Sequence, residues 1–271
     1  MILTLVPFIY GVLVTLQDYS LLKPPKWVGL TNYINVLRDP RFAHASLISL
    51  KYSVICVAFE IIIGFGVAIV LHYGINGQMA KSIVRTLMLV PMMVTPVVAG
   101  LSWRIIYDPD AGILNYFLNL LGIHSNKAWL ANAKTALYAV SAVDIWQWTP
   151  FIILITLAGL ESLPVDIYEA AEVDGATWTQ AFRYITIPLL STTIFLALLI
   201  RTIDVLKFFD LILIMTNGGP GTVTETLNMY AYKTGFVYFR FGYASTIAFI
   251  YTLVVSLVLP FFVNRIWAEG G

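Results

Sequence analysis

Six long apolar stretches limit what this chain can fold into. They cover residues 2–16, 47–71, 83–106, 137–160, 189–215 and 244–263. A helix needs about 20 mostly apolar residues to cross a bilayer, and five of the stretches reach that length while the first falls slightly short. None shows the sustained alternation of apolar and polar residues that a membrane β-strand requires. The pattern predicts an all-α integral membrane protein with about six transmembrane helices.

Composition excludes a water-soluble globular domain. Charged residues make up 11% of the 271 residues and the mean hydropathy is +0.83, whereas soluble domains carry about 25% charged residues. A surface with so few charges would not stay dissolved in water. The three polar segments that separate the stretches (17–46, 108–134 and 217–243) show no repeat, and we predict a single transmembrane domain over residues 1–271.

Several classes of chemistry are excluded. The sole cysteine, Cys56, lies inside the second apolar stretch, so an intramolecular disulfide or a thiolate metal cluster is not expected. No G-x-x-x-x-G-K-[ST] loop is present, so ATP is not expected to bind this chain through a P-loop. The net charge of +1 gives no indication of nucleic-acid binding. We expect no catalytic residue, no metal and no cofactor on this chain.

The polar segment between the fourth and fifth stretches predicts two short helices. Pro164 suits the first turn of a helix, and Gly175 suits a left-handed stop about ten residues later. Thr177 and Gln180 have the spacing of a capping box, which starts a second helix. Pro188 marks the passage into the fifth stretch. Similarly, residues 31–38 predict a short amphipathic helix capped by Thr31.

The first of these short helices offers a surface for close packing. Helical spacing places Ile167, Ala170, Ala171 and Asp174 on one strip, with Glu169 beside it. Alanines allow another backbone to approach closely, and acidic neighbours can pair with basic groups of a partner. From spacing alone, an interfacial helix without a partner is an equal alternative.

This segment, residues 161–188, closely resembles the EAA loop of ABC importer permeases. The matching residues are Glu169-Ala170-Ala171, Asp174-Gly175-Ala176, Phe182-Arg183 and Ile185-Thr186-Ile187-Pro188. Further stretches resemble the carbohydrate branch of that family, the permeases of maltose-type and glycerol-phosphate-type importers: residues 28–33, 39–42, 209–212, 216–221, 224–227 and 243–244. The resemblance covers nearly the whole chain.

The resemblance implies a type I ABC importer permease fold in a bacterial cytoplasmic (inner) membrane, surrounded by lipid. It implies a heterodimer with a second permease, two ATPase subunits that bind ATP and Mg, and an extracytoplasmic solute-binding protein. Glu169, Ala170, Ala171, Asp174 and Gly175 would couple the permease to an ATPase subunit. Gly218, Gly219 and Pro220 would lie near the external gate, where the binding protein docks.

Charged and aromatic residues in the fourth and fifth stretches are candidates for the substrate path: Asp144, Trp146, Trp148, Arg201, Asp204, Lys207 and Phe208. Rings suit the C–H faces of a sugar, and carboxylate or amide groups suit its hydroxyls. In the fifth stretch, helical spacing predicts one face for Arg201, Asp204 and Phe208. Charged groups inside a span tend to face a partner helix or a cavity.

Each candidate has a structural alternative. Asp204 and Lys207 can neutralise each other within one helix, and the two tryptophans can belong to an interfacial belt. For Glu60 in the second stretch, a helix-packing hydrogen bond is favoured over a substrate contact.

Two other functions compete with sugar import. One is an ABC permease for a non-carbohydrate solute, and the other is an ion-coupled secondary transporter that would use intramembrane carboxylates. The second leaves residues 169–188 unexplained and lacks visible inverted repeats.

Basic residues are more frequent in the loops opposite residues 161–188, which contradicts a cytoplasmic location for that segment under the positive-inside rule. We nevertheless predict a cytoplasmic location from the motif.

Overall fold

All six apolar stretches are helical in the computed structural model, which describes residues 2–21, 23–75, 77–123 and 126–269. The helices are α1 Ile2–Thr15, α2 Thr31–Leu37, α3 Pro40–Gly74, α4 Gln78–Met93, α5 Pro96–Ile106, α6 Ile113–Leu120, α7 Ala136–Glu161, α8 Val165–Val173, α9 Trp178–Ala181, α10 Ile187–Lys207, α11 Asp210–Met215, α12 Leu227–Tyr232 and α13 Phe241–Glu269. Two π-helical turns, Phe182–Thr186 and Lys233–Val237, follow α9 and α12.

Three helical runs are long and apolar enough to cross a membrane: Pro40–Gly74, Ala136–Glu161 and Trp178–Lys207. The pair Met79–Met93 and Pro96–Ile106 passes the same test as a broken span. Shorter apolar helices at Leu5–Thr15 and Phe241–Leu257 correspond to the first and last stretches. The predicted helical membrane architecture is therefore present, with some spans shorter or more broken than the sequence indicates.

The prediction of one continuous helix through residues 83–106 is wrong. Helix α4 ends at Met93, Val94 is extended (ψ 131°), and α5 starts at Pro96. Proline disfavours helical backbone in the residue before it, which here is Thr95. The freed carbonyl of Val94 accepts a hydrogen bond from the side chain of Gln147 (2.6 Å).

The prediction of one helix through residues 189–215 is also wrong, because α10 ends at Lys207. The carbonyls that this end exposes find side-chain donors, as helix ends require. Asn228 donates to the carbonyls of Leu206 (3.0 Å) and Phe208 (3.4 Å), and Tyr251 donates to that of Leu206 (2.5 Å). These donors come from distant parts of the sequence, so the local pattern could not show the break.

A two-stranded antiparallel hairpin, β1 Gln17–Ser20 and β2 Lys23–Trp27, is the one departure from all-α structure among the described residues. Helix α2 forms as predicted, but its cap does not. Thr31 donates its hydroxyl to the Val28 carbonyl (2.8 Å) instead of accepting from the helix. Asn32, the next residue, donates to the carbonyls of Thr15 and Gln17 and so ties α2 to the hairpin.

The chain forms two compact units. One contains the residues up to Val54, Pro96–Val143 and Val205–Val258. Its core contains Val36, Ala45, Leu227, Tyr230, Tyr243, Ile247 and Tyr251.

The other unit contains Ile55–Thr95, Asp144–Asp204 and the residues from Leu259 onward. Its core contains Ala68, Leu71, Ile153, Leu157, Leu160 and Leu190. Glycines bring its helices close together: a Cβ on Gly64 would lie 2.7 Å from Ile152, and one on Gly159 would lie 2.9 Å from Leu190. Such small residues are typical of packed membrane helices, and they fix the segments that carry the ionic cluster described next.

Candidate functional site

A buried ionic cluster joins α3, α7 and α10 in the second unit. The Arg201 guanidinium donates from Nε to Glu60 Oε2 (2.6 Å) and from Nη2 to Glu60 Oε1 (2.7 Å). The same Nη2 donates to Asp144 Oδ2 (2.8 Å). The side chains of Glu60 and Asp144 are fully buried and that of Arg201 is 1% exposed. The bidentate geometry is the strong form of an arginine–carboxylate pair.

Two more polar side chains, Gln147 and Trp148, follow Asp144 along α7. Trp148 places its ring 5.0 Å from the Arg201 guanidinium, a cation–π contact. Among the described residues, no hydrogen-bond partner is present for Arg201 Nη1, Trp148 Nε1 or Gln147 Oε1. Buried polar groups are normally satisfied, so the cluster retains unused hydrogen-bonding capacity.

The structure brings together three predicted path residues, Asp144, Trp148 and Arg201, and adds Glu60. The sequence favoured a helix-packing hydrogen bond for Glu60, and Glu60 does make a contact between helices, to Arg201. Its partner lies 141 positions away, so the pairing itself was missed. Two opposite charges in separate apolar stretches are the signal that would have found it.

The remaining path candidates lie elsewhere. Asp204 and Lys207 are exposed, and neither forms an ion pair within the described residues, so the structural alternative, a pair that neutralises itself within one helix, is not formed. Phe208 lies beyond the end of α10 and stacks on Tyr52 (centroids 6.5 Å apart). The predicted common face with Arg201 is therefore wrong, because the helix ends first. Trp146 is 39% exposed.

Helix α8 carries the predicted coupling residues and has no buried residue. Glu169, Ala170, Asp174 and Gly175 are exposed, and Ala171 is partly exposed. A helix that buries none of its side chains within its own chain gains little from packing, since most helical stability in proteins comes from a packed face. This exposure is the feature expected of a helix that packs against a partner.

The turn after α8 has the predicted conformation. Gly175 adopts φ +78°, and the Ala176 amide donates to the Ala171 carbonyl (2.9 Å), which closes the helix end. The predicted capping box is also present: Gln180 N donates to Thr177 Oγ1 (3.4 Å) and Thr177 N donates to Gln180 Oε1 (2.7 Å). The second short helix is not separate, however, because α9 runs through a π-helical turn directly into α10.

The surface around this turn is indented. A cavity of about 290 Å³ lies beside the glycine, lined by Asp174, Gly175, Ala176, Gln180, Ala181, Tyr184 and Ile185. Large apolar side chains nearby are strongly exposed, including Val173 (88%) and Tyr184 (70%). Exposed apolar groups clustered beside a cavity are typical of an interaction surface.

The predicted external gate residues lie in a turn with a cis Gly219–Pro220 peptide and with Gly218 at φ +80°. Behind the turn, the buried Glu225 carboxylate accepts two hydrogen bonds from Arg41 (2.7 and 2.8 Å) and pairs with Lys233 (3.1 Å). Burial acts to raise the pKa of Glu225, but the bonds from Arg41 and Lys233 outweigh it and hold that pKa below its usual value. This ionic anchor, missed because 184 positions separate Arg41 from Glu225, fixes the base of the turn.

Relatives with curated names match most of the chain. A probable ABC transporter permease protein, y4oQ of Sinorhizobium fredii, is 42% identical over 93% of this chain and 81% of its own length. The trehalose/maltose transport system permease protein MalF of Thermococcus litoralis is 34% identical over 90% and 80%. The trehalose transport system permease protein SugA of Mycobacterium tuberculosis is 32% identical over 98% and 84%.

Solved structures show the same fold. A chain of a bacterial ABC transporter involved in the import of the acidic polysaccharide alginate superposes with a TM-score of 0.87. The match covers 100% of this chain and 92% of that one at 20% sequence identity. The similarity confirms the predicted ABC importer permease fold.

The family described as "Binding-protein-dependent transport system inner membrane component" matches residues 60–267. This range includes the ionic cluster, helix α8 and the turn at Gly218. The chain therefore belongs to that family and is a multi-pass inner membrane permease subunit of an ABC importer.

Proposed function

We propose that this permease carries a sugar or sugar derivative across the membrane and takes its energy from partner ATPases through residues 169–188. The exposed helix α8, with its left-handed Gly175 and no buried side chain, is the observation that supports this most directly. The second permease, the two ATPase subunits and their ATP and Mg belong to the proposal. The proposal also includes an extracytoplasmic binding protein that contacts the turn at residues 218–220.

The sugar assignment rests on the relatives. Curated names among them specify trehalose/maltose, trehalose and sulfoquinovosyl glycerol. In this chain, Trp148 and the unused polar atoms of the ionic cluster would serve a sugar in the path, while Asp204 and Lys207 remain exposed for substrate contact. Aromatic rings and convergent polar groups are the combination that saccharides require.

Purification of the tagged chain from native membranes in mild detergent tests the proposal. We expect a second permease, a P-loop ATPase and a solute-binding protein to co-purify and to be identified by mass. Screening that binding protein against sugars would then name the substrate. Recovery of the chain without an ATPase, under conditions that keep another ABC importer intact, would contradict the proposal.

The orientation of the chain has a separate test. The native Cys56 is buried, so cysteines introduced at exposed positions can be labelled selectively. We expect Lys134→Cys to react with an impermeant thiol reagent in intact cells, and Val173→Cys to react only after permeabilisation. Both positions are exposed, so the reverse pattern would mean an inverted topology, as the distribution of basic residues indicates.

A further inference from the structure

A groove in the first unit includes one candidate for the sugar path, Lys207, and its other lining residues are not among those candidates. Its volume is about 460 Å³, within the range of about 300–1,000 Å³ that small-molecule sites occupy. Its lining includes Lys207, Phe209, Asn228, Tyr232, Phe236 and Phe241. By the predicted topology, the loop 217–243 that supplies much of this lining faces the extracytoplasmic side.

Four aromatic rings form a row along the groove. The ring centroids of Phe209 and Tyr232 are 5.1 Å apart, those of Tyr232 and Phe236 are 5.4 Å apart, and those of Phe236 and Phe241 are 6.3 Å apart. Phe236 is 65% exposed, so its ring is available to an incoming molecule. Successive rings are inclined to one another by 54°, 31° and 87°, so the row offers ring faces of different orientation to the C–H surfaces of a pyranose.

Polar residues line the same groove. Lys207 is exposed and has no ion-pair partner among the described residues. Asn228 uses its amide nitrogen on two backbone carbonyls, which leaves its Oδ1 as an acceptor. The hydroxyl of Ser245 also lines the groove. An ammonium group, an amide oxygen and a hydroxyl can together donate to and accept from sugar hydroxyls.

We propose that this groove is a saccharide-binding subsite on the extracytoplasmic side of the permease, in which a sugar ring stacks on Phe236 and Tyr232. Lys207 donates to a ring hydroxyl or to an acidic substituent of the sugar. The inference rests on the proposed sugar transport. Three polar side chains in the lining favour a saccharide, and a lipid chain is the competing occupant that the test below distinguishes.

The test uses the co-purified complex in proteoliposomes with ATP inside and its binding protein outside. The probe is whichever of trehalose, maltose and sulfoquinovosyl glycerol that binding protein binds. We expect Phe236→Ala to lower the uptake rate about fivefold, in line with a stacking contribution of roughly 1 kcal/mol. Phe236→Trp keeps a stacking face and should retain most of the uptake.

Phe117→Ala is the matched control, because Phe117 is 54% exposed and lies outside the groove. Equal uptake by the Phe236→Ala and Phe117→Ala complexes would overturn the subsite while leaving the transport function intact. Loss of co-purified lipid with unchanged uptake would also overturn it, by assigning the groove to lipid. If the binding protein binds one of the other sugars of the screen, that sugar replaces the probe; if it binds no sugar, the proposed function itself fails, an outcome distinct from loss of the subsite alone.

Discussion

Replacement of Gly175 by valine should lower sugar uptake by about tenfold or more while leaving the protein inserted in the membrane. Gly175 adopts φ +78°, a conformation that costs a residue with a Cβ about 1–2 kcal/mol and a β-branched residue more. No heavy atom lies within 4 Å of where the Cβ would be. The substitution therefore acts through the backbone alone, by changing the angle between α8 and the α9 segment that follows the turn.

Gly175→Asn is the matched control, since asparagine tolerates the left-handed region. We expect it to retain most of the uptake and to keep ATP hydrolysis coupled to transport. The informative measurement compares uptake with ATP hydrolysis in the reconstituted complex. The Gly175→Val complex should hydrolyse ATP without transporting sugar, or should lose the ATPase subunits during purification.

Glu169→Lys probes the same contact through charge. Its side chain is exposed, so the stability of the permease itself should change little, while charge reversal at an interface opposes association. Unchanged uptake in both the Gly175→Val and Glu169→Lys complexes would refute the assignment of α8 as the coupling helix.

The largest loss of stability is expected for Arg201→Met. The variant leaves the carboxylates of Glu60 and Asp144 buried without a counter-charge, and removing one partner of a buried pair costs about 3–5 kcal/mol. The mutant protein should show a clearly lower Tm in detergent, or should be degraded in the membrane.

A triple variant, Arg201→Met with Glu60→Gln and Asp144→Asn, separates the causes of this loss. It removes the unpaired charges together with the arginine, and we expect it to recover much of the lost stability. Transport should not recover if the cluster also contacts sugar. A Tm for Arg201→Met equal to that of the unaltered protein would contradict the ion pairs described for this cluster.

Local patterns predicted the conformation of residues 175–180 well because its determinants are close in sequence. Gly175 is left-handed and the Thr177–Gln180 capping box forms, since each depends on a few neighbouring residues. The helical structure of the six apolar stretches could also be predicted from local sequence, because a long apolar segment in a bilayer satisfies its backbone hydrogen bonds as a helix.

Long-range contacts decided what the sequence could not show. The end of α10 at Lys207 depends on hydrogen-bond donors from Asn228 and Tyr251. The burial of the Arg201 charge depends on its ion pair with Glu60. For the same reason, the sequence made Lys207 a candidate for the substrate path but did not show that Lys207 and Phe236 line one groove. Three of its four rings, Tyr232, Phe236 and Phe241, are close in sequence, and the fold adds Phe209 beside Tyr232.

The central claim is that this chain imports sugar with energy from ATP, and one uptake measurement tests it most directly. The purified complex would be reconstituted in proteoliposomes, with the sugar-loaded binding protein outside and either ATP or a non-hydrolysable analogue inside. We predict uptake that requires both ATP hydrolysis and the binding protein and that persists when ion gradients are collapsed. Uptake that follows an imposed ion gradient and is indifferent to ATP would contradict the account.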